Sequence, residues 1–556
     1  MEPESVETTG PDKSGGAAGT ADAGQLVPPP AASVTIDDPR RRRAILWAVC
    51  LALMAVVASV SGLNVAQPQL AVTFGASQGT VLWIINLYTL TLAALLLPLG
   101  AAGDRLGRKP VLLAGLGVFA VANVVAAFAP TANVMLAARL LSGVGAAMIM
   151  PVTLSVITSS FPDQERSKAI GMWTAVAGGG GILGMYLSAL LVDVASWRWL
   201  FALPLALTAG SALVGVRAVP NSRETTEGRF DLVGALTSIV AAVGITFALH
   251  EAPTLGWQDP AILVTLTVAL VAAAAFVVWE LRVRHPLLDV RHFRTRNLSS
   301  GTTLLLVLFG VQGGVSLVLY PFFQVVLGWS GLLATLGMMP MALLMMVTSG
   351  LAPHLAARIG VRAAMVTGLS IAAAGLALMA IMVSSDAGYL SILPGLAAMG
   401  LGAGLAMTPS TEAITSALPR EQQGVASALN DLTREFGAAL GIALLGGLLV
   451  AGYQNAIRGR LEGVPEDLAA TASDGIASAT LVAEQAGAYA DQIVAAANGA
   501  FVAGWQQAMW IGVAVMGALA AFLAFRGPTR APAPEASGVA ASSGVCPYVS
   551  PGAVEC

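Results

Sequence analysis

Gly100-Ala-Ala-Gly103-Asp104-Arg105-Leu-Gly107-Arg108-Lys109 sets a short, densely charged stretch between two long apolar runs. Asp104, Arg105, Arg108 and Lys109 are too costly to hold in hydrocarbon, so the runs on either side end here and the stretch is a hairpin at a membrane edge. Gly107 gives the backbone the freedom of a tight turn. Gly103 lets two helices approach closely, and Asp104 can neutralise or orient the arginines beside it. Taken alone, the same residues also suit a solvated turn whose basic charge marks the inner side of a membrane.

Outward from this hairpin the chain is apolar in nearly every direction. Hydrophobic residues make up 56% of the 556, charged residues 11%, and the mean hydropathy is +0.77. This excludes a soluble globular domain and identifies a polytopic membrane protein. A net charge of −3, with Lys and Arg gathered at segment ends, gives nucleic-acid binding no support. Cys50, Cys546 and Cys556 have neither metal-site spacing nor the pattern of a secreted disulfide framework, so reduced thiols and no metal are expected. Residues 1–39 are rich in Gly, Ala, Pro, Ser and Asp and have little to bury. The run after Arg40–Arg43 is long enough to span, which argues against a cleaved signal.

Apolar runs of about 20 residues predict helices near 44–64, 82–101, 110–129, 133–156, 169–191, 199–217, 231–250, 261–280, 299–325, 331–352, 362–383, 389–412, 424–451 and 500–525. With both termini on the cytoplasmic side, the 28 Lys and Arg leave only Arg198, Arg458 and Arg460 outside. Lys13 lies in the distal tail, and Arg139 and Arg434 fall within helices. One helix more or fewer would invert part of this asymmetry, so an even count follows. Ala357-Arg358-Ile-Gly360-Val-Arg362 echoes Asp104–Lys109 with the acid lost, a weak internal repeat.

The expected organisation is therefore a disordered cytoplasmic tail at 1–43, a six-helix bundle at 44–222, an inserted helix pair at 223–285, a second six-helix bundle at 286–525 and a disordered cytoplasmic tail at 526–556. Within the second bundle, 453–499 is acidic and Ala-rich, too interrupted by Asp and Glu to span. Leu468, Ile476, Leu481, Ile493 and Val494 suit one side of short outer helices, acting as a structural cap or as a gate over the outer opening.

Three features inside the spans invite chemistry. Arg139, in Arg139-Leu-Leu-Ser142-Gly143-Val-Gly145, is a functional candidate by the cost of its charge, or a buried bridge between helices. Asn430-Asp431-Leu-Thr-Arg434-Glu435-Phe-Gly437 places three ionisable groups in one helix, with Asp431 and Glu435 on one face and Arg434 able to reach Asp431. At 1.5 Å per residue, Asp431 lies about 10 Å and Glu435 about 16 Å from the inner helix end, the latter near the midplane of a ~30 Å core. A carboxyl in hydrocarbon favours its neutral form, a condition that suits reversible protonation, and proton coupling is assigned here. The competing reading of Asp431 is a self-neutralised pair with Arg434. Glu412, near an inner helix end, reads as an interfacial, solvated acid. Gly171, Gly178–Gly181 and Gly184 crowd the fifth segment and imply close packing or a bend.

The spacing Gly100-x-x-x-Asp104-Arg105-x-Gly107-Arg108-Lys109 resembles the signature loop of the major facilitator superfamily, where it acts as a cytoplasmic gate. With Arg139-x-x-x-Gly143-x-Gly145, Ser196-Trp197-Arg-Trp199, Pro286-Leu-Leu-Asp289 and the Asp431–Glu435 element, the chain resembles the fourteen-helix drug:proton antiporters of the quaternary-ammonium and multidrug type. The resemblance covers roughly residues 44–525. It implies the major facilitator fold, a multi-pass protein of the cytoplasmic membrane, no enzyme activity, no cofactor beyond the proton motive force, and efflux of amphipathic drugs by alternating access.

The chain departs from those relatives at three places. Ser59 stands where the first segment carries an Asp, Asn86 where quaternary-ammonium exporters have a second, and Gly184-Met185-Tyr186 where antiporters read Gly-Pro. Only two acids are left, Asp431 and Glu435, and fewer negative charges in a low dielectric weaken capture of dications. Monovalent-cationic or neutral substrates are expected, held by apolar surface with Asn64, Asn86, Tyr88, Gln312, Tyr320 and Gln324. Met338, Met339, Met341, Met345 and Met346 offer an adaptable wall or ordinary packing. Protons, small amphipathic substrates and the bilayer are the expected partners of a monomeric protein. A dedicated exporter of one natural product or lipid-like metabolite is the alternative. A membrane enzyme lacks any His/Asp/Cys constellation near the spans, and a sensor lacks an output domain in the tails.

Overall fold

Hydrocarbon cannot satisfy a bare backbone, so each long apolar run closes its own hydrogen bonds as a helix. The computed structural model describes residues 36–223, 230–384 and 388–528, and among them are fourteen helices long and apolar enough to cross a membrane. They begin with α1 (Pro39–Val65), the short α2 (Gln67–Phe74), α3 (Gln78–Leu106), α4 (Arg108–Ala127), α5 (Ala132–Ser160), α6 (Asp163–Val194) and α7 (Ala202–Ala218). The inserted pair is α8 (Leu232–Leu255) and α9 (Pro260–Glu280). Then follow α10 (Arg296–Pro321), α11 (Gly331–Ile359), α12 (Val361–Met382), α13 (Leu393–Ala417), α14 (Gln423–Ile457), the short α15 (Glu466–Ser473) and α16 (Ile476–Ala483), and α17 (Ala490–Arg526). No strand occurs among the described residues.

Helices α1 and α3–α7 pack on one another as one bundle, and α10–α14 with α17 as a second. The inserted pair packs on itself, and α8 leans on α3 of the first bundle and α14 of the second. Trp83 and Phe247 meet at the first of these contacts, and Leu249 packs with Ala439 and Ala443 at the second. The fourteen-span plan expected from the sequence is what forms.

Helix ends differ from expectation where polar residues cap rather than break. α1 starts at Pro39 with Asp38 as N-cap, so Arg40–Arg43 form its first turn instead of closing the tail. Arg41 donates to the Ala218 carbonyl and Arg42 to Glu165, which ties this turn to the ends of α7 and α6. Of the expected tails, residues 1–35 and 529–556 lie outside the described residues. The outer loop is shorter than 453–499, because α14 runs to Ile457 and α17 begins at Ala490. Tyr453 donates to the Ala472 carbonyl at 2.8 Å, and α15–α16 settle on α14, α17 and the turn at Phe322–Val326, all in the second bundle. Ile476 and Ile493 are buried there as expected, whereas Leu481 and Val494 face outward.

The internal repeat is structural as well as sequential. Gly107 and Gly360 both adopt positive φ, 108° and 91°, a conformation that L side chains rarely take. Two residues beyond each glycine a cation reaches the end of the last helix of its own bundle: Lys109 donates to the Val216 carbonyl, and Arg362 to those of Gly527 and Pro528. Cations at helix C-termini satisfy carbonyls that the helix leaves orphaned. The glycine run of α6 is a packing seam, not a bend: Gly178 and Gly179 meet Met345 and Met346 of α11, Gly180 and Gly184 meet Met54 and Ala58 of α1, and the helix continues unbroken.

Candidate transport site and gate

The two bundles are tied to each other by polar contacts on one face. Asp104, at the end of α3 and 3% exposed, supplies one. Its carboxylate accepts from the Gly424 N–H (2.8 and 3.0 Å) and the Val425 N–H (3.3 Å), so an anion from the first bundle sits on the N-terminus of α14 in the second. Arg108 Nη2 donates to the same carboxylate at 3.0 Å and to the Arg420 carbonyl, and its backbone N–H bonds Ser222. Gly100 explains the approach: a β-carbon there would lie 2.6 Å from the Gly424 carbonyl oxygen. Arg105 stacks over Phe230 on the linker to the inserted pair.

The same face carries the other bonds between the bundles. Ser167 of α6 donates to Glu412 of α13, Thr174 pairs with Thr408, and Asp163 stands 4.0 Å from Arg420. Farther along, Arg434 of α14 donates to the Ala177 carbonyl of α6 at 3.0 Å. Among the described residues, every hydrogen bond or ion pair joining the bundles lies between this basic face and the level of Arg434. The structure is closed on the face of the Gly100–Lys109 loop.

At the upper limit of this closure lies the α14 cluster. Asp431 is wholly buried; Asn430 donates to its Oδ1 at 3.2 Å, Arg434 Nη1 stands 3.6 Å away, and Oδ2 has no partner among the described residues. Arg434 lies over Phe309 at 4.5 Å and Trp173 at 5.7 Å, while its Nε and Nη1 make no hydrogen bond. Glu435, one residue on, keeps part of its surface exposed and makes neither hydrogen bond nor ion pair among the described residues. Three ionisable groups in one helix are thus sorted into a locked acid, a bridging cation and an available acid.

Arg139 is fully buried in the first bundle, without an acidic partner. Nη1 donates to Ser59 Oγ at 3.1 Å, Nη2 to the Ser59 carbonyl, Nε to the Ile84 carbonyl, and the guanidinium lies 4.3 Å over the Tyr88 ring. Ser59, where the resemblance leads one to expect an acid, is therefore in contact with this arginine. Tyr88 differs from its expected place: it is fully buried with its hydroxyl donating to Val56, packing rather than presenting a polar group.

Asn86, Gln312 and Tyr320 are half-buried and Gln324 is exposed; the Asn64 side chain lies outside the described residues. Gln312 points an amide hydrogen toward the Met345 sulfur, and Tyr320 donates to Gly331. Met338, Met341 and Met345 are buried, so most of the methionine group is packing. An apolar crevice of about 500 Å³ lies between α10, α14 and α17; its α14 lining starts at Leu440, beside and not over Glu435. Of the residues that join the bundles on this face, the α14 terminus, Ser167 and Thr174 went unforeseen. Gly424 had a readable signal, a glycine at the start of a span whose partner is another glycine.

Comparison with known proteins agrees with this architecture. The family model described as Major Facilitator Superfamily matches residues 49–442. The multidrug efflux pump LfrA of Mycolicibacterium smegmatis is 32% identical over 476 residues, 84% of this chain and 93% of the relative. The multidrug resistance protein Stp of Mycobacterium tuberculosis is 30% identical over 418 residues, 75% and 78% of the two chains. The crystal structure of the human organic anion transporter MFSD10 (TETRAN) superposes with a TM-score of 0.55 at 16% identity, covering 86% of this chain and all of that one, a likeness of fold.

Proposed function

The chain belongs to the major facilitator superfamily, and from that premise we propose that it exports amphipathic drugs or antibiotics, monovalent-cationic or neutral, across the cytoplasmic membrane in exchange for protons. The observation that carries the coupling half of this reading is Glu435: an acid within a span, part-exposed, unpaired, and one residue from the cation that joins the bundles. A carboxyl so placed can take a proton without first breaking an ion pair, and its charge changes the field on Arg434 when it does.

The basic face is taken as cytoplasmic, following the asymmetry of Lys and Arg. The structure then corresponds to the stage of alternating access at which the cytoplasmic side is shut, with Asp104, Gly107 and Arg108 forming the gate and Arg105 and Lys109 bracing it. Asn64, Asn86, Gln312, Tyr320 and Gln324 remain proposed substrate contacts, Arg139 and Asp431 fixed charges that set the local field, and the proton motive force the only energy source, with no cofactor. A monomer suffices, because both bundles belong to one chain. The multidrug names of the relatives favour broad efflux over a dedicated exporter.

Substrate-driven proton movement in proteoliposomes tests the reading. Glu435→Gln is expected to abolish it while substrate still binds, and Asp431→Asn to weaken it. Normal coupling in both variants would refute the assignment of the coupling site to α14.

A further inference from the structure

The internal repeat is broken at one position, and the break sits on the closed face. Asp104 of the first bundle anchors α14, but the residue in its place in the second bundle is Ala357, which has nothing to offer the start of α6. The seam between α6 and α11 is instead packed by Gly171 against Ser349 and Pro353, which fit closely but bring no charge. The polar contact on this side comes from a different helix. Glu412, on the last turns of α13, accepts the Ser167 hydroxyl of α6 across the bundle boundary. A turn deeper, Thr174 and Thr408 bond each other at 2.7 Å, with Thr408 also donating to the Ser349 carbonyl.

We propose that Glu412 is a positioning residue of the transport cycle: with Ser167 it forms a second latch of the basic-face gate, standing in for the acid that the repeat has lost at Ala357. The inference rests on the alternating-access reading above. A carboxylate accepting from a hydroxyl makes a charge-assisted bond that a solvated surface acid would not need. The half-buried Glu412 lines a cleft of about 290 Å³ with Asp163, Arg166, Ser167, Arg420 and Gln423, a set drawn from both bundles. Opening this face separates α6 from α13 and exposes the cleft, so the bond exists in one state of the cycle only. Only such a bond moves the equilibrium between states.

The test uses the full chain with its three cysteines replaced and spin labels at Arg217→Cys and Arg358→Cys, exposed positions on the basic face of the two bundles. Distance distributions between the labels report the ratio of open to closed forms. Glu412→Ala and Ser167→Ala should each raise that ratio about three- to tenfold. The double variant should do no more than the larger single, because both remove one bond. Glu412→Gln, whose amide oxygen still accepts from Ser167 but without the charge, should fall between the parent and Glu412→Ala and so separates latching from general loss of packing. Unchanged ratios in both single variants, or effects that add in the double, would overturn the proposal. Failure of the native chain to move protons would instead count against the function, since the distance ratio is read without transport.

Discussion

Replacing Asp104 by Asn tests the gate most directly, because the change removes charge and leaves shape. In the closed state the carboxylate accepts the single Gly424 N–H on both oxygens, a bond from Val425 and one from Arg108. The Arg108 pair lies within the first bundle and survives opening, so it drops out of the difference between states. What opening loses is the attraction of a full charge for the α14 N-terminus and the charge-assisted part of the backbone bonds. A buried anion at a helix N-terminus is worth up to about 2 kcal/mol, and bonds to charged groups about 1.5–3 kcal/mol. An Asn oxygen still accepts one of those bonds, so the net loss is about 1.5–3 kcal/mol, roughly ten- to hundredfold in the open-to-closed ratio. Asp104→Glu should not rescue it, since the Gly100–Gly424 approach leaves no room for another methylene. Label distances across the basic face measure the ratio. An Asn variant as closed as the parent would refute the idea that the helix terminus holds the gate.

Gly441→Ala would drive a β-carbon into the Gly310 carbonyl where α14 crosses α10; a loss of about 1–3 kcal/mol is expected, read as a lower thermal midpoint in detergent. Ser59→Asp would give the buried Arg139 an acidic partner where it now meets a hydroxyl at 3.1 Å, and should broaden a resistance spectrum toward dicationic compounds in a pump-deficient host. Tyr453→Phe removes the 2.8 Å bond to Ala472, at a cost of about 1 kcal/mol; faster hydrogen exchange across 466–483 with unchanged transport would mark that segment as a cap, and impaired transport as a gate.

The plan of this fold was legible because its strongest constraint is local. A charge in hydrocarbon is prohibitive wherever it falls, so Gly100–Lys109 and the other basic clusters mark helix ends without reference to any neighbour. Charged groups inside the spans were legible because the residue type is itself expensive there, as with Arg139, Asp431, Arg434 and Glu435. Polar residues of ordinary cost gave no such warning. Tyr88 reads as a cavity group and is packed under Arg139; Glu412 reads as solvated and bonds Ser167. Leu481 and Val494 follow the apolar spacing of a buried face and are exposed. In each case the deciding fact is which other helix arrives, and partners from 245 positions away, as for Ser167 and Glu412, leave no period to read.

The roles assembled on α14 constrain how protonation and gating can communicate. Gly424, which holds Asp104, and Glu435 stand eleven residues apart on one uninterrupted helix, about 16 Å along its axis. Arg434 joins this helix to α6 between the two, one residue before Glu435, and Gly437 and Gly441 press the helix beyond them against Leu306 and Gly310 of α10 so closely that no side chain fits. A helix clamped by backbone contact at one level and held by a single carboxylate at its end acts as a lever with the glycine crossing as fulcrum. Neutralising Glu435 changes the field on Arg434, the one bond to the first bundle near that fulcrum, while the Asp104 latch lies at the long arm. Softening the arm should therefore loosen the coupling: a proline-free weak point such as Leu429→Gly, between latch and acid, should leave substrate binding in place and lower the number of protons moved per substrate. Stoichiometry unchanged by such a weak point would show that the signal passes through α6 or α10 instead of along α14.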